Sequence, residues 1–403
     1  MKRPLAIAGV GQTPYRRAHP DAHTGDLVFR AVSEALADAG IDRSDVDAVV
    51  AGVAPDALGG VNCIEKSVLG AATPPGAPFF RVNTGGATGS SAVLAAITLV
   101  ASGRADVVVA FALERMGQAT TSQKVFNTIF DPIYEKDFAL TTITMAALRA
   151  SLLMARYGYT ERHWAALAAR NHRNALRNPL AHVHRDLTVE AVLESPLLAW
   201  PIHLYEACPM SEGACALVIA AGERLPGGRP VAWVHGAASY SDSYAMGDRF
   251  DRPEGTLVDL ITLRRAAEVA YRQAGIVDPG KEIDVVEIHA PFSSAEVMAY
   301  PPLGLCTPED GPAYVDTLVD DDREPGQGVD GAGPFVNPSG GPMAANPVSA
   351  TAMIRIAECA LQVRGVAGDR QVDGARRAVA TGQGGATQFS SACVLSAEPP
   401  GAH

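Results

Sequence analysis

His289 closes the segment I-D-V-V-E-I-H, which begins at Ile283 and is predicted to form a strand. In open α/β sheets, ligands bind beyond the carboxyl ends of the strands. A histidine in that place can transfer protons as a general acid or base, or donate a hydrogen bond to an oxyanion. The alternative is a core histidine whose hydrogen bonds are all satisfied, so the sequence leaves both roles open.

A second candidate is the run of small residues from Thr84 to Ser91, which precedes an almost wholly apolar helix predicted over Ala92–Ala101. The free N–H groups and the dipole at the start of such a helix favour an oxyanion, a phosphate or an activated nucleophile. Close packing of a buried helix is the alternative reason for small residues. Thr88 and Ser90 in this run are also typical of helix caps.

Two further turns contain small residues and glycine pairs. The first includes Gly340 and Gly341 and leads to Asn346, which precedes Pro347 and a predicted buried helix. The amide of Asn346 can hold an oxyanion or a carbonyl, or it can cap that helix. The second turn, Thr381–Ala386, carries Gly384 and Gly385, which let a backbone approach a ligand closely.

The composition limits the class of protein. The chain has 403 residues, is 47% hydrophobic and 19% charged, and has a net charge of −11, as expected for a soluble globular protein and not for one that binds nucleic acid. No apolar run reaches the roughly 18 residues of a membrane helix. The six cysteines lack a C-x-x-C pair, which favours reduced thiols, no metal site and a cytoplasmic location.

Alternating strands and helices predict an α/β protein with a parallel sheet. The strands are predicted over 5–10, 47–53, 107–112, 230–235, 283–289, 378–382 and 392–395, and the helices over 26–39, 92–101, 144–157, 161–176, 264–274 and 346–363. The segment R-A-V-S-E-A-L-A-D-A-G-I is echoed by R-R-A-A-E-V-A-Y-R-Q-A-G-I, and each is followed by a strand. This echo indicates an internal duplication with a long period.

Several motifs together resemble the thiolase superfamily, most closely the sterol-carrier-protein type. They are G-A-T-G-S-S-A at Gly86, E-I-H-A-P-F around His289, N-P-S-G-G before Asn346, and T-G-Q-G-G-A at Thr381. The resemblance implies a duplicated five-layered αβαβα fold with a helical loop domain. It divides the chain into a first half (1–117), a loop domain with the return to the first sheet (118–224), and a second half (225–403).

The same resemblance assigns the site residues. The nucleophilic cysteine of the family falls on Gly86, the catalytic histidine of a later motif on Asn346, and a second cysteine is replaced by Pro291. The catalytic residues expected to remain are His289, Asn346 and Tyr300, with Tyr240 and Tyr244 as further candidates. The residues expected to bind substrate or coenzyme A are Thr88, Ser90, Gly340, Gly341, Gly384 and Gly385.

A thiolase scaffold without its thiolate predicts an acyl-CoA lyase that cleaves or forms a C–C bond by aldol chemistry, because that reaction needs no acyl-enzyme. The alternatives are an acyltransferase with another nucleophile and a non-catalytic acyl-CoA-binding subunit. Coenzyme A is expected as part of the substrate, with no tightly bound cofactor. The family also implies a homodimer, for which the sequence suggests Val107–Ala112 as the edge strand, and a small OB-fold, zinc-ribbon partner protein.

Overall fold

The computed structural model describes residues 3–53, 64–118, 122–135, 137–138, 140–250, 252–253, 255–320 and 333–401. The strands are β1 (Leu5–Gln12), β2 (Ala48–Val53), β3 (Phe79–Val82), β4 (Val107–Arg115), β5 (Leu197–Ala199), β6 (Ile202–His203), β7 (Glu212–Ala221), β8 (Ala232–Ser241), β9 (Val285–Glu287), β10 (Phe335–Val336), β11 (Arg377–Gly384) and β12 (Phe389–Ser396). The helices are α1 (Thr24–Ala39), α2 (Ile64–Ala72), α3 (Thr88–Ala101), α4 (Ser122–Phe126), α5 (Thr142–Tyr157), α6 (Glu161–Ala175), α7 (Val189–Leu193), α8 (Ile261–Ala274), α9 (Pro279–Glu282), α10 (Ser293–Glu296), α11 (Gly311–Asp320), α12 (Gly341–Ala344) and α13 (Val348–Val363).

The main sheet shows the duplication in its topology. Its strand order is β10-β9-β11-β12-β8-β1-β7-β4-β2-β3, and β1 joins β8 through the short antiparallel pairs Ala6–Trp233 and Ile7–Ala232. On each side of this seam a parallel trio (β3-β2-β4 or β10-β9-β11) is followed by two antiparallel strands. The duplicated architecture expected from the sequence is therefore present, with β1 equivalent to β8 and β4 equivalent to β11.

The sequence-based expectations about the sheet hold only in part. The trios β3-β2-β4 and β10-β9-β11 are parallel, as predicted, but β7 returns from the middle segment and lies antiparallel between β1 and β4. The expected edge strand Val107–Ala112 lies inside β4, which pairs with β2 on one side and β7 on the other. The strand at that end of the sheet is β3, a short segment whose pattern was too brief to predict.

Alternate side chains of β4 enter different layers, as strand geometry requires. Val108, Ala110 and Ala112 pack in the central core with α3 and α13. Val107, Val109 and Phe111 pack on the opposite face of the same strand with α1. The other half of the sheet repeats this arrangement, with α8 as its outer helix. The result is five layers, in which α3 and α13 form the middle one.

The two central helices touch through Gly89. A Cβ atom there would lie 2.6 Å from the Ser349 carbonyl oxygen and 2.7 Å from the Met353 nitrogen, both on α13. Only glycine permits this approach, because such contacts are far shorter than van der Waals distances. The small residues before and within α3 thus have a packing role, which the sequence left as an alternative to a ligand-binding role.

A buried ion pair ties α13 to the second half of the sheet. The Arg355 guanidinium donates to the Glu287 carboxylate at the end of β9, and both side chains are almost completely buried. The same carboxylate accepts hydrogen bonds from the Ser339 hydroxyl (2.9 Å) and backbone nitrogen (3.0 Å). This network fixes β9, and therefore the residues that follow it, against the central layer.

We expect Arg355→Met to lower the free energy of unfolding by about 3–5 kcal/mol, because it leaves the Glu287 carboxylate buried without its counter-charge. The double variant Glu287→Gln, Arg355→Met removes both charges, so it should lose less stability than the single variant. Urea denaturation followed by circular dichroism measures both. A double variant less stable than Arg355→Met would contradict the assignment of a paired, charged carboxylate.

Candidate active site

A cavity of about 460 Å³ opens where the two halves and the middle segment meet. Its wall includes Gly86 before α3, His289 after β9, Asn346 before α13, and Gly384 and Gly385 at the end of β11. These sequence-predicted residues therefore come together, although they are far apart in the chain. Much of the remaining wall is apolar and includes Val125, Phe126, Ile129, Pro291, Phe292, Val348 and Phe389.

His289 is fixed in one tautomer by the backbone. Its Nδ1 accepts a hydrogen bond from the Gln383 N–H (3.1 Å), so the ring proton is on Nε2. Its own backbone N–H donates to the Thr381 hydroxyl (2.9 Å). Burial, and to a smaller extent the positive charge of Arg355, lowers the pKa of His289 to about 3. The ring is therefore neutral at physiological pH and can donate a hydrogen bond to a ligand through Nε2.

Asn346 is held from both ends of its amide. Its Oδ1 accepts from the Thr351 hydroxyl (2.7 Å), and its Nδ2 donates to the Cys208 sulfur (3.0 Å). An amide nitrogen carries two donor hydrogens, so a second one is left for a ligand in the cavity. Burial raises the pKa of the Cys208 thiol to about 12, although the Asn346 hydrogen bond acts in the opposite direction. Cys208 is thus a neutral thiol and not a thiolate.

The backbone at Gln383 occupies the space that a side chain at Gly86 would need. A Cβ atom at this position would lie 2.6 Å from the Gln383 carbonyl oxygen and 3.3 Å from the His289 ring. The turn before α3 and the turn after β11 are packed this closely at Gly384 too, where a Cβ atom would lie 2.0 Å from the Thr84 carbonyl oxygen. A larger residue at Gly86 or Gly384 therefore requires one turn to move.

Tyr300 does not line the cavity, contrary to the prediction. It is fully buried within the second outer core, and its hydroxyl donates to the Glu296 carboxylate (2.7 Å). Its ring packs edge-on against Tyr314. Tyr240 is exposed near the end of β8 and is also absent from the wall, whereas Tyr244 is part of it. The sequence could not distinguish these tyrosines, because no local pattern tells which one faces a cavity.

Four of the six residues predicted to bind substrate have structural partners instead, and none of the four lines the cavity. The Thr88 hydroxyl closes the turn before α3 by accepting from the Thr84 N–H (2.9 Å). The Ser90 hydroxyl donates to the Ala87 carbonyl (2.8 Å) and accepts from Ser391 (2.7 Å). Gly340 and Gly341 are buried and have positive φ angles of 87° and 59°, so they serve the turn that leads into α12.

The structure adds site residues that the sequence did not single out. Cys208 lies 138 positions before Asn346 and meets it only in the folded chain. Gln383 contributes its backbone to His289, while its side-chain Nε2 is buried without a hydrogen-bond partner among the described residues. Asp242 lies in the wall, and its carboxylate accepts hydrogen bonds from both terminal nitrogens of Arg252 (2.8 and 2.6 Å). A signal for Cys208 existed, since it opens the segment that leads into β7.

The described part of the chain contains no group of acidic, histidine and cysteine side chains arranged to hold a metal ion. The cysteines described there, of which Cys208 alone lines the cavity, are all free thiols. Within the same residues, no helix combines the length and the apolar character needed to cross a membrane. Cys63 lies outside the described residues.

Comparison with known proteins places this geometry in a family. Residues 5–191 match the thiolase N-terminal domain and residues 249–397 the thiolase C-terminal domain-like family. The chain is 32% identical to the acetyl-CoA acetyltransferase of Methanothermobacter thermautotrophicus, over 93% of this chain and 94% of that protein. It is 30% identical to sterol carrier protein 2 of Gallus gallus, over 94% of this chain and 69% of that protein.

Among solved structures, the chain superposes on the Ltp2-ChsH2(DUF35) aldolase with a TM-score of 0.77 and 24% identity, covering 98% of this chain and 97% of that one. At this identity the likeness establishes the fold. The layered duplication, the cavity between the halves and the two matching family domains agree with one another. The chain belongs to the thiolase superfamily.

Proposed function

We propose that this protein is an acyl-CoA lyase that cleaves a β-hydroxyacyl thioester by retro-aldol chemistry and uses no cysteine nucleophile. The observation that carries the proposal is the neutral His289, held with its Nε2 hydrogen available beside a Gly86 that has no room for a side chain. A site of this kind stabilises an oxyanion but cannot form an acyl-enzyme at position 86. The structural relative is an aldolase, which favours the same reaction.

The two hydrogen-bond donors suit the charge that develops in this reaction. When the Cα–Cβ bond breaks, its electron pair forms an enolate whose negative charge lies on the thioester oxygen. The Nε2 hydrogen of His289 and the remaining Nδ2 hydrogen of Asn346 would both bind that oxygen. Both groups are buried and fixed by other contacts, so they need little reorganisation in the transition state.

The protons can be assigned to residues of the wall. The β-hydroxyl proton passes to Tyr244, the tyrosine found at the cavity. The carbonyl product, an aldehyde or a ketone, then leaves, and the enolate takes a proton at its α-carbon from the neutral Cys208 thiol to give the shortened acyl-CoA. Tyr244 then releases its proton to solvent and the Cys208 thiolate takes one back from solvent, so both residues return to their starting forms. Partial desolvation and the nearby Asp131 and Glu135 carboxylates raise the pKa of Tyr244. In the reverse direction its phenol is accordingly the proton donor to the new hydroxyl.

Two other functions remain as alternatives. The similarity to acetyl-CoA acetyltransferase favours an acyltransferase that uses another nucleophile, and mass spectrometry after a pulse of acyl-CoA would then detect an acyl adduct. A binding subunit would bind acyl-CoA and turn over nothing. The aldolase relative is Ltp2-ChsH2(DUF35), whose two-part name supports a partner protein for this chain. We propose that this partner is the small OB-fold, zinc-ribbon protein that the family resemblance implies. Each assay is therefore best done with and without such a protein.

Incubation with β-hydroxyacyl-CoA compounds should release a carbonyl product and a shortened acyl-CoA, as measured by mass spectrometry. His289→Ala and Asn346→Ala should each lower kcat by about 10²–10³-fold, the usual effect of losing one oxyanion donor. His184→Ala serves as the control, because His184 bonds the Asn178 carbonyl and is outside the cavity wall. Full activity of the His289→Ala protein would reject the proposed site.

The rate of cleavage should rise with pH, because the phenolate form of Tyr244 accepts the hydroxyl proton and its pKa is raised above the ordinary value of about 10. The expected slope of log(kcat/KM) is about one between pH 6 and 9. His289 adds no acidic limb in this range, since its pKa is about 3. Tyr244→Phe should abolish the pH-dependent activity. If the rate instead falls with decreasing pH through a single titration centred near pH 6.5, an ionising histidine is indicated.

We further propose a homodimer formed through β3, the strand at the first-half end of the described sheet. Its Phe80 is 45% exposed, and an open apolar edge of this kind invites pairing with a second copy. Light scattering at micromolar concentration should give the mass of a dimer. Phe80→Glu should give a monomer, while Phe29→Glu, which changes an equally exposed phenylalanine on α1, should not. A monomeric wild-type protein would exclude the proposal.

A further inference from the structure

The turn that follows β11 is held in an unusual conformation next to the cavity. Gly384 and Gly385 line the cavity wall. Gly385 has a φ angle of 63° and Thr387 one of 70°, and the left-handed region is costly for a β-branched residue. The turn therefore persists only because its surroundings hold it there.

Two arginines hold this turn from different parts of the chain. Arg149, on α5, donates from one terminal nitrogen to the Ala386 carbonyl oxygen (2.8 Å) and the Thr387 hydroxyl (3.0 Å). Arg249, in the segment between β8 and α8, donates to the same two atoms at 2.7 and 3.3 Å. The Ala386 N–H in turn donates to the Gln388 side chain. The two peptide groups that flank Ala386 are thus each held by hydrogen bonds.

The burial of these two cations is expensive. Arg149 is 8% exposed and Arg249 3%, and among the described residues neither forms an ion pair with a carboxylate. The Nε atoms of both, and one terminal nitrogen of Arg249, have no hydrogen-bond partner there. Asp242 attracts Arg249 electrostatically but binds Arg252 through both of its oxygens. Burial lowers the pKa of Arg149 to about 9, so it stays protonated at neutral pH.

We propose that Arg149 and Arg249 are positioning residues, which lock the 384–388 turn and add positive potential beside the site where the enolate forms. The inference rests on the proposed function for its catalytic consequence. Two cations on one carbonyl are unfavourable for stability alone, since the Thr387 hydroxyl already donates to that oxygen (2.5 Å). Here their cost is offset by a rigid wall at Gly384 and Gly385 and by a charge that opposes the developing oxyanion.

Arg149 and Arg249, together with the 384–388 turn that they bind, form what we call the clamp. The clamp also joins three segments that border the cavity. Arg149 shares a face of α5 with Met145, which packs with Phe130, Met246 and Ala386 in a small apolar cluster. A change in the middle segment would thus be transmitted to the turn through Arg149. A purely structural role predicts a loss of stability that leaves the kcat of the folded protein unchanged. A positioning role predicts a fall in kcat with KM almost unchanged.

The test uses Arg149→Met and Arg249→Met, which remove the charge, and Arg149→Lys and Arg249→Lys, which keep it. Arg364→Met is the matched control, because Arg364 is equally buried but pairs with Asp38 through two contacts of 2.8 Å away from the cavity. Hydrogen–deuterium exchange of the peptide covering 383–389 is measured together with kcat and KM. Lysine can reach the Ala386 carbonyl but cannot reproduce the fixed geometry of a guanidinium.

Each methionine variant should increase exchange at 383–389 and lower kcat by about 10²-fold, the effect of a small misplacement at a reacting centre. Each lysine variant should recover part of kcat, and Arg364→Met should change neither quantity at the turn. Unchanged exchange in both methionine variants would overturn the proposal whatever the activity. If exchange rises while the wild-type protein turns over no β-hydroxyacyl-CoA, the clamp holds and the proposed function fails. Increased exchange with normal kcat would reduce the pair to a structural anchor and overturn the positioning role.

Discussion

The close packing of α3 against α13 is the constraint on which the rest of this structure depends. Gly89 lets the two backbones touch at Ser349 and Met353, and a methyl group there would push the helices apart. The middle layer is thin for this reason, and the sheets on either side can share one core. The same contact brings the residues that precede the two helices, Gly86 and Asn346, to one cavity.

The site is built from both halves and the middle segment, although the halves share one topology. The first half supplies the turn at Gly86. The second supplies His289, Asn346 and the turn at Gly384, and the segment between them supplies Cys208 and apolar wall residues such as Phe126. Duplication thus accounts for the scaffold, while the chemistry depends on residues in which the copies differ. A cavity at such a seam also explains why each contribution is held by contacts to another part of the chain.

Burial determines the electrostatic character of the cavity. It keeps His289 neutral and the Cys208 thiol protonated, so neither group is present in its charged form at neutral pH. The nearby positive charges are buried as well. They are Arg355, which acts on His289, and the pair Arg149 and Arg249, which bind the 384–388 turn. In the proposed reaction, such fixed donors and buried cations would stabilise the enolate oxygen better than bulk water does.

The sequence by itself determined the class of the fold, the duplication, the buried character of α3 and α13, and the position of His289 just beyond a strand. These features depend on consecutive residues, through the periodicity of apolar side chains and the conformations open to glycine. Only the tertiary structure decided that β7 is antiparallel, that β3 and not β4 lies at the edge, that Tyr244 and not Tyr300 borders the cavity, and that Cys208 meets Asn346. Each of these facts concerns residues far apart in the chain, and the direction of a strand or the face of a side chain is set by what packs against it, which no local pattern encodes.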